Sequence, residues 1–124
     1  MSMSWFKFVR CAGWDLNTCP GRQLKVQYDE MKTANCMNCD KFFHCQGNYN
    51  AVHVCGKTTI NIRIAKKISD CREAAQDASS VDSQEDQKAN KFGREGGNCS
   101  AEYLCKANCK YNPRNKTCQR TNCP

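Results

Sequence analysis

The sequence predicts an all-α protein: a four-helix bundle with a C-terminal arm held against it by disulfide bonds. Two observations support this fold class. Apolar residues recur every three or four positions, the spacing of one helix face, as in the stripe of Ile60, Ile64, Ile68, Cys71 and Ala75. The 124 residues also include 12 cysteines, five of them in the last 26 positions. We expect one structural domain, with a bundle at 1–98 and a cysteine-rich arm at 99–124 packed on it.

The first helix is predicted where Trp5, Phe6, Phe8 and Val9 form a dense apolar cluster. At helical spacing, most of these side chains fall on one side. The stretch from Cys11 to Cys19 contains turn-forming residues and is followed by a Pro-Gly pair, so the helix is interrupted there. A bridge between those two cysteines is one way to close the loop, although spacing alone leaves the connectivity open.

Two further helices are predicted between residues 22 and 56. The stripe of the first, which we expect to end at Asn35, consists of Leu24, Tyr28 and Met31. The stripe of the second, expected from Asp40 to Gly56, consists of Phe42, Cys45, Tyr49 and Val52. Gly47 lies inside this second helix at a cost of up to about 1 kcal/mol. A neighbouring helix that approaches closely would explain the glycine.

The isoleucine stripe defines the next helix, and the polar residues 76–82 form a connection after it. Ser83, with Asp86 three positions later, resembles a capping box and predicts the start of another helix. Gly93 is expected to end that helix. In the arm, Ser100 is placed to cap a short helix.

The composition indicates a scaffold stabilised by disulfides. Only 17 residues are Leu, Ile, Val or Phe, which is little apolar surface to offset chain entropy. Cysteine at this density is typical of secreted proteins, in which each bridge contributes roughly 2–4 kcal/mol. We therefore expect an extracellular, secreted protein. All its cysteines are assigned to disulfides: Cys11, Cys19, Cys36, Cys39, Cys45, Cys55, Cys71, Cys99, Cys105, Cys109, Cys118 and Cys123.

A net charge of +7 favours acidic partners such as sulfated polysaccharide, anionic lipid or a microbial surface. Arg63, Lys66 and Lys67 are candidate polyanion contacts, with a solvated helix face as the alternative. We expect no nucleic-acid partner. No stretch has the roughly 20 apolar residues needed to cross a bilayer. The first ten residues lack the apolar run of a secretory leader, which we expect to have been removed.

Some of the cysteines and histidines also have, loosely, the spacing of a metal site. Cys36-x-x-Cys39, with His44 and other histidines and cysteines nearby, has the ligand types of a zinc site. Disulfides are favoured over bound metal, and a metal-binding stress protein would instead keep free thiols. No nucleophile motif or phosphate-binding glycine loop is present, so we expect no enzyme and no cofactor. Asn98 and Asn115 begin N-glycosylation sequons.

Four segments of the chain resemble signature blocks of the serum amyloid A family, in the same order and at similar spacing. They read YDEMKTAN (28–35), DKFFHCQGNYNA (40–51), ISDCRE (68–73) and DSQEDQKANKFGREGGN (82–98). The resemblance covers about residues 5 to 98. It implies a secreted protein of acute-phase or innate-defence type that binds lipid or a small apolar ligand such as retinol, often as a homo-oligomer. The family's binding of heparin-like polysaccharides adds some support to a polyanion site.

The resemblance also implies that the N-terminal helix contacts lipid, because the family's N-terminal helix is implicated in lipid binding, and the isoleucine stripe adds two further candidates. The candidates are Trp5, Phe6, Phe8, Val9, Ile60 and Ile64; a core role for these aromatic residues is the alternative. A competing function is a secreted pheromone, toxin or antimicrobial protein that uses the bundle as a scaffold. This chain departs from the family at Gln46 and Asn50, which replace an arginine and an aspartate, so a hydrogen bond can remain where an ion pair is lost.

Overall fold

The computed structural model describes residues 3–119. Within these residues the protein is a bundle of helices and contains no β-strand. The helices are α1 (Trp5–Ala12), α2 (Cys19–Ala34), α3 (Asp40–Tyr49), α4 (Thr59–Ala74) and α5 (Val81–Arg94). A 3₁₀ turn (Gly13–Asn17) and two π-helical turns (Asn50–Val54 and Ala101–Cys105) complete the helical segments. The predicted all-α bundle is confirmed, with α2 to α5 as its long helices. None of the described helices is long and apolar enough to span a membrane.

Side-chain caps set where four of the helices begin. Ser4, Thr18, Thr58 and Ser80 each accept a backbone N–H from three residues later, at 3.1–3.3 Å. The cap of α5 is therefore Ser80 and not Ser83, as the capping-box pattern had predicted. Asn35 ends α2 in the left-handed conformation (φ 50°), as expected.

Two glycines lie where helices meet. A Cβ atom added to Gly47 would lie 3.1 Å from a methyl carbon of Leu24 in α2, which confirms the predicted close approach. A Cβ added to Gly93 would lie 2.1 Å from the carbonyl oxygen of Cys45 in α3. The prediction that Gly93 ends its helix is wrong, because α5 continues through it to Arg94. Its glycine instead permits backbone contact between α3 and α5.

The core consists of two apolar clusters. One joins α1, α2 and α4 through Phe8, Leu24, Tyr28, Ala65 and Ile68. The other joins α3, α5 and the arm through Phe42, Phe43, Ala89, Leu104 and Tyr111. The isoleucine stripe is only partly buried: Ile68 is inaccessible, whereas Ile60 is 59% exposed. The first turn of α4 extends beyond its neighbours, so the predicted seam begins at Ile64.

The disulfides connect distant parts of the chain. Five are Cys11–Cys71, Cys19–Cys55, Cys36–Cys118, Cys39–Cys109 and Cys45–Cys99. Cys105 is also disulfide-bonded, and Cys123 lies outside the described residues. The local Cys11–Cys19 bridge considered from the sequence is therefore not formed, because each of these cysteines is bonded elsewhere. Three bridges tie the arm to α3 and to the loop before it. Because Cys36 and Cys39 are both in disulfides, neither offers a thiolate that could bind zinc.

Candidate functional site

The first helix has one apolar side in the core and a second one in solvent. Phe8 is 1% exposed, and its ring meets Tyr28 edge-on. Trp5, Phe6 and Val9 are 38%, 74% and 49% exposed. At about 100° per residue, these three side chains span roughly 100° of the helix circumference. We call this exposed surface the α1 face (Trp5, Phe6 and Val9).

Positive charge borders the α1 face. Lys7 and Arg10 follow it around the helix and are exposed, and α1 contains no acidic residue. From α2, the Lys32 ammonium lies 5.7 Å from the centre of a Trp5 ring, within reach of a cation–π contact. An apolar strip with a cationic border suits the boundary between the acyl chains and headgroups of an anionic lipid surface.

The α1 helix is held to the bundle at both ends. Near its start, the Ser4 N–H donates to the Ala75 carbonyl at 3.0 Å. Near its end, Cys11 is bonded to Cys71 of α4. These contacts fix α1 antiparallel to α4 and keep the α1 face turned outward. Detachment of this helix would require the Cys11–Cys71 bond to break.

The six predicted apolar contacts do not form one site. Phe8 is a core residue, and Ile64 is partly buried against the same core. Ile60 is exposed but lies at the opposite end of α4 from Ala75, about 22 Å away at 1.5 Å per residue. Only Trp5, Phe6 and Val9 lie together on an exposed face, because burial of one side of α1 selects which apolar residues remain outside.

The predicted polyanion contacts are mostly paired with acids. The Lys66 ammonium lies 2.7 Å from Asp70, and the Lys67 ammonium lies 2.7 Å from Asp15. Both pairs are largely exposed, so each contributes little to stability, yet each neutralises a charge that the prediction had counted as available. Arg63 is exposed. These residues therefore lack the concentrated charge that the sequence had suggested.

A buried polar network connects α3, α4 and α5, and it was not among the sites predicted from the sequence. Its centre is Asn48, which is fully buried. The Asn48 amide nitrogen donates to the Asn90 side chain at 3.0 Å and to the His44 carbonyl at 2.9 Å. Its oxygen accepts from Ser69 at 3.1 Å and from Arg94 at 2.9 Å. Polar residues at core-facing positions of three helices are the feature of the sequence that could have predicted this network.

Ionisable groups extend this network. Glu73 is 1% exposed and accepts from the Ser83 hydroxyl at 2.8 Å. One nitrogen of His44 lies 3.4 Å from Asp86, and ligand-capable atoms of His44, Glu73 and Asp86 lie within 4.8 Å of one another. The Arg72 guanidinium lies 3.9 Å from Glu73 and already supplies a cation to these carboxylates. The cluster is therefore a buried network of ionisable side chains with a cation of its own.

Burial sets the ionisation of this cluster because it penalises charge. It raises the pKa of Glu73 from 4.5 to about 7, and it raises the pKa of Asp86 as well. Burial, together with the positive charge of Arg72, lowers the pKa of His44 well below its usual 6.5. The cluster therefore favours neutral histidine and a protonated carboxyl group when the solution is slightly acidic.

We expect Glu73→Gln to remove part of the pH dependence of stability. The folded-state pKa of Glu73 is raised, so its stabilising effect is complete below about pH 4.5 and is lost as the pH rises through about 7. Relative to wild type, the variant should therefore gain on the order of 1–3 kcal/mol between pH 5 and pH 8. Urea unfolding at both pH values measures this difference, and His44 is common to both proteins. If the free energies of unfolding of the two proteins differ by the same amount at pH 5 and at pH 8, the raised pKa of Glu73 is contradicted.

Comparison with known proteins gives this architecture a family. The model of the family described as "Serum amyloid A protein" matches residues 18–116. Serum amyloid A-3 protein of Mus musculus is 39% identical over 98 residues, covering 77% of this chain and 74% of the relative. The chain belongs to the serum amyloid A family. Serum amyloid A-1 protein of Oryctolagus cuniculus, 37% identical over 101 residues with the same coverage, is a further relative.

The serum amyloid A match differs in extent from the resemblance seen in the sequence, which covers about residues 5 to 98. It begins at Thr18, after α1, and it continues to Lys116 within the cysteine-rich arm. The whole polar network around Asn48 lies within the matched range. The α1 face lies outside it, so a role for that face depends on its own geometry.

The departure from the serum amyloid A pattern in α3 has a direct structural outcome. The Gln46 amide nitrogen donates to the Asn50 side-chain oxygen at 2.8 Å. These two residues, expected from the resemblance to stand in place of an arginine and an aspartate, are thus linked without charge. This supports the expectation that the hydrogen bond persists where the ion pair is lost.

Proposed function

We propose that this serum amyloid A-type protein is a secreted, non-enzymatic binding protein of acute-phase or innate-defence type, and that it associates with anionic lipid surfaces through the α1 face. One observation supports the proposal most strongly: α1 exposes three apolar side chains, and its only charged residues, Lys7 and Arg10, are positive. The many disulfides support an extracellular setting, where such bonds persist. No covalent chemistry is needed for this activity.

The energetics favour shallow, reversible association. Full burial of an apolar side chain contributes about 1.5–3 kcal/mol, and Trp5, Phe6 and Val9 have part of their surface left to bury. Lys7 and Arg10 add attraction to anionic headgroups, at about 1 kcal/mol for each charge near the surface. Because Cys11–Cys71 holds α1 in place, the protein should bind with its bundle intact, and its helix content should stay constant on binding.

Trp5 provides a direct test, because it lies within the α1 face. In a Trp14→Phe background it is the only remaining tryptophan. We expect its emission to shift to shorter wavelength when vesicles containing phosphatidylglycerol are added. Phe6→Ser combined with Val9→Ser should weaken partitioning roughly tenfold or more, since 1.4 kcal/mol corresponds to a factor of ten.

The matched control is Val81→Ser, which changes a residue that is 75% exposed at the start of α5. It should leave partitioning unchanged. If the emission of Trp5 does not respond to vesicles, or if Val81→Ser weakens binding as much as the double variant, the α1 face is not the binding surface. Raising the salt concentration should weaken binding, because the electrostatic part is screened.

The same cationic, apolar face favours a second candidate, a defence protein that acts on microbial membranes. Such membranes are rich in anionic lipid, and a scaffold with this many disulfides tolerates an extracellular environment. Release of a dye trapped in anionic vesicles, with zwitterionic vesicles left intact, would support this role. Binding without leakage would favour simple lipid association.

The α1 face could also bind the predicted small apolar ligand and form the contact between copies in the predicted homo-oligomer. A second copy that covers the α1 face would enclose an apolar space between subunits. Measurement of molar mass in solution, with and without retinol, tests this part of the proposal. A monomer under both conditions would leave lipid association as the function of the face.

A further inference from the structure

Near the end of its described residues, the arm forms a compact, exposed turn between Asn112 and Thr117. The Asn112 N–H donates to the Thr117 carbonyl at 2.8 Å, and the Lys116 N–H donates back to the Asn112 carbonyl at 2.8 Å. Within the turn, the side-chain oxygen of Asn115 accepts from the Thr117 hydroxyl at 2.6 Å. Asn115, Lys116 and Thr117 are all exposed. The acceptor amide and the hydroxyl of this sequon therefore lie together at the protein surface.

We propose that Asn115, and not Asn98, is the N-glycan acceptor of this protein. In the transfer, the Asn115 side-chain nitrogen forms a bond to the anomeric carbon of an oligosaccharide carried on a lipid pyrophosphate. The bond from that carbon to the pyrophosphate oxygen breaks, the lipid pyrophosphate leaves, and the amide nitrogen loses one proton. No oxidation or reduction occurs. A secretory-pathway oligosaccharyltransferase catalyses the step.

The Asn98 sequon has a different environment. Its middle residue, Cys99, is 3% exposed and bonded to the buried Cys45. The Asn98 side-chain oxygen accepts from the Ala101 N–H at 3.0 Å and so caps the turn that follows. Asn98 also lines an open cleft of about 330 Å³ with Gln46 and Tyr49. Asn98 and Ser100 are exposed, but the Cys45–Cys99 bond fixes the middle residue of this sequon to α3. All three residues of the Asn115 sequon are exposed, and none of them is a cysteine held in a disulfide.

A glycan at Asn115 is compatible with an accessible α1 face. Lys116 pairs with Glu30 of α2 at 3.0 Å, which places the turn beside that residue. Trp5 contacts α2 through Lys32. Residues two positions apart on a helix differ by about 200° around its axis, so the turn and α1 lie on opposite sides of α2. The glycan would then extend away from the α1 face.

The test uses the full chain secreted from cultured mammalian cells behind a heterologous leader. The inference rests on the secretion in the proposed function, but the supplied leader separates the two, because vesicle binding is measured independently. We expect peptide N-glycosidase F to reduce the intact mass by one glycan and to convert Asn115 to aspartate in the peptide map. Asn115→Gln and Thr117→Ala should each abolish the mass loss.

Two controls make the outcome decisive. Thr117→Ser preserves the sequon and should keep the glycan, and Asn98→Gln should leave the mass loss unchanged. Intact mass under non-reducing conditions shows whether each variant retains its disulfides, so misfolding is distinguished from loss of the acceptor. A secreted wild-type protein whose mass the glycosidase does not change overturns the proposal. A glycan that persists in Asn115→Gln overturns it as well.

Discussion

Gly93→Ala should be among the most destabilising single substitutions in this protein. The added Cβ would lie 2.1 Å from the carbonyl oxygen of Cys45 and 2.9 Å from its carbonyl carbon. These are backbone atoms of α3, and the Cys45–Cys99 bond limits how far this helix can move. We expect a loss of about 3 kcal/mol or more in the free energy of unfolding, measured by urea denaturation at constant pH.

Lys91→Ala is the control for Gly93→Ala, since Lys91 is exposed on the same helix. It should change the free energy of unfolding by no more than about 0.5 kcal/mol. A Gly93→Ala protein that unfolds at the same urea concentration as wild type would contradict backbone contact between α3 and α5. Comparable losses in both variants would instead indicate a general sensitivity of α5.

Asn48→Ala should be similarly severe, for a different reason. Asn48 is fully buried and makes four hydrogen bonds, three of which connect α3 with α4 and α5. Its removal leaves polar groups of Ser69, Asn90 and Arg94 with fewer partners in the core, and breaking a buried network around a charge costs about 3–5 kcal/mol. Thermal unfolding and amide hydrogen exchange in α3 and α5 measure the effect.

The matched control is Asn50→Ala, which removes an asparagine from the end of the same helical segment. Asn50 is half-buried, and its side-chain oxygen accepts from Gln46. We expect this substitution to cost about 1 kcal/mol, the usual net value of one such bond. Equal losses for the two variants would show that the network around Asn48 has no special role.

Local sequence patterns identified the helices because helix spacing, caps and turn residues act over three or four positions. The stripe through Leu24 and Tyr28 marked the buried side of α2, and Asn35 marked its end. The error at Ser83 has the same origin, because Ser80 offers an equivalent cap three residues earlier. Local chemistry allows both starts, and in the folded protein the Ser83 hydroxyl instead donates to the buried Glu73.

The candidate functional face was predicted only in part. The sequence showed that Trp5, Phe6, Phe8 and Val9 form an apolar cluster, but the cluster is apolar on both the inner and outer sides of α1. Packing in the cluster that includes Tyr28 buries Phe8, and this packing separates the core residue from the exposed ones. Likewise, Lys67 seemed available until the fold brought Asp15 to it from 52 residues away.

By itself, the sequence determined that this protein is helical and rich in disulfides, because composition and short-range periodicity are local properties of the chain. Its similarity to known proteins places it in the serum amyloid A family. Tertiary structure alone decided which cysteines are bonded to each other, that Gly93 permits contact between α3 and α5, how the polar network around Asn48 is satisfied, and which side of α1 faces solvent. Each of these depends on groups far apart in sequence, and their separation in space is set only when the helices pack.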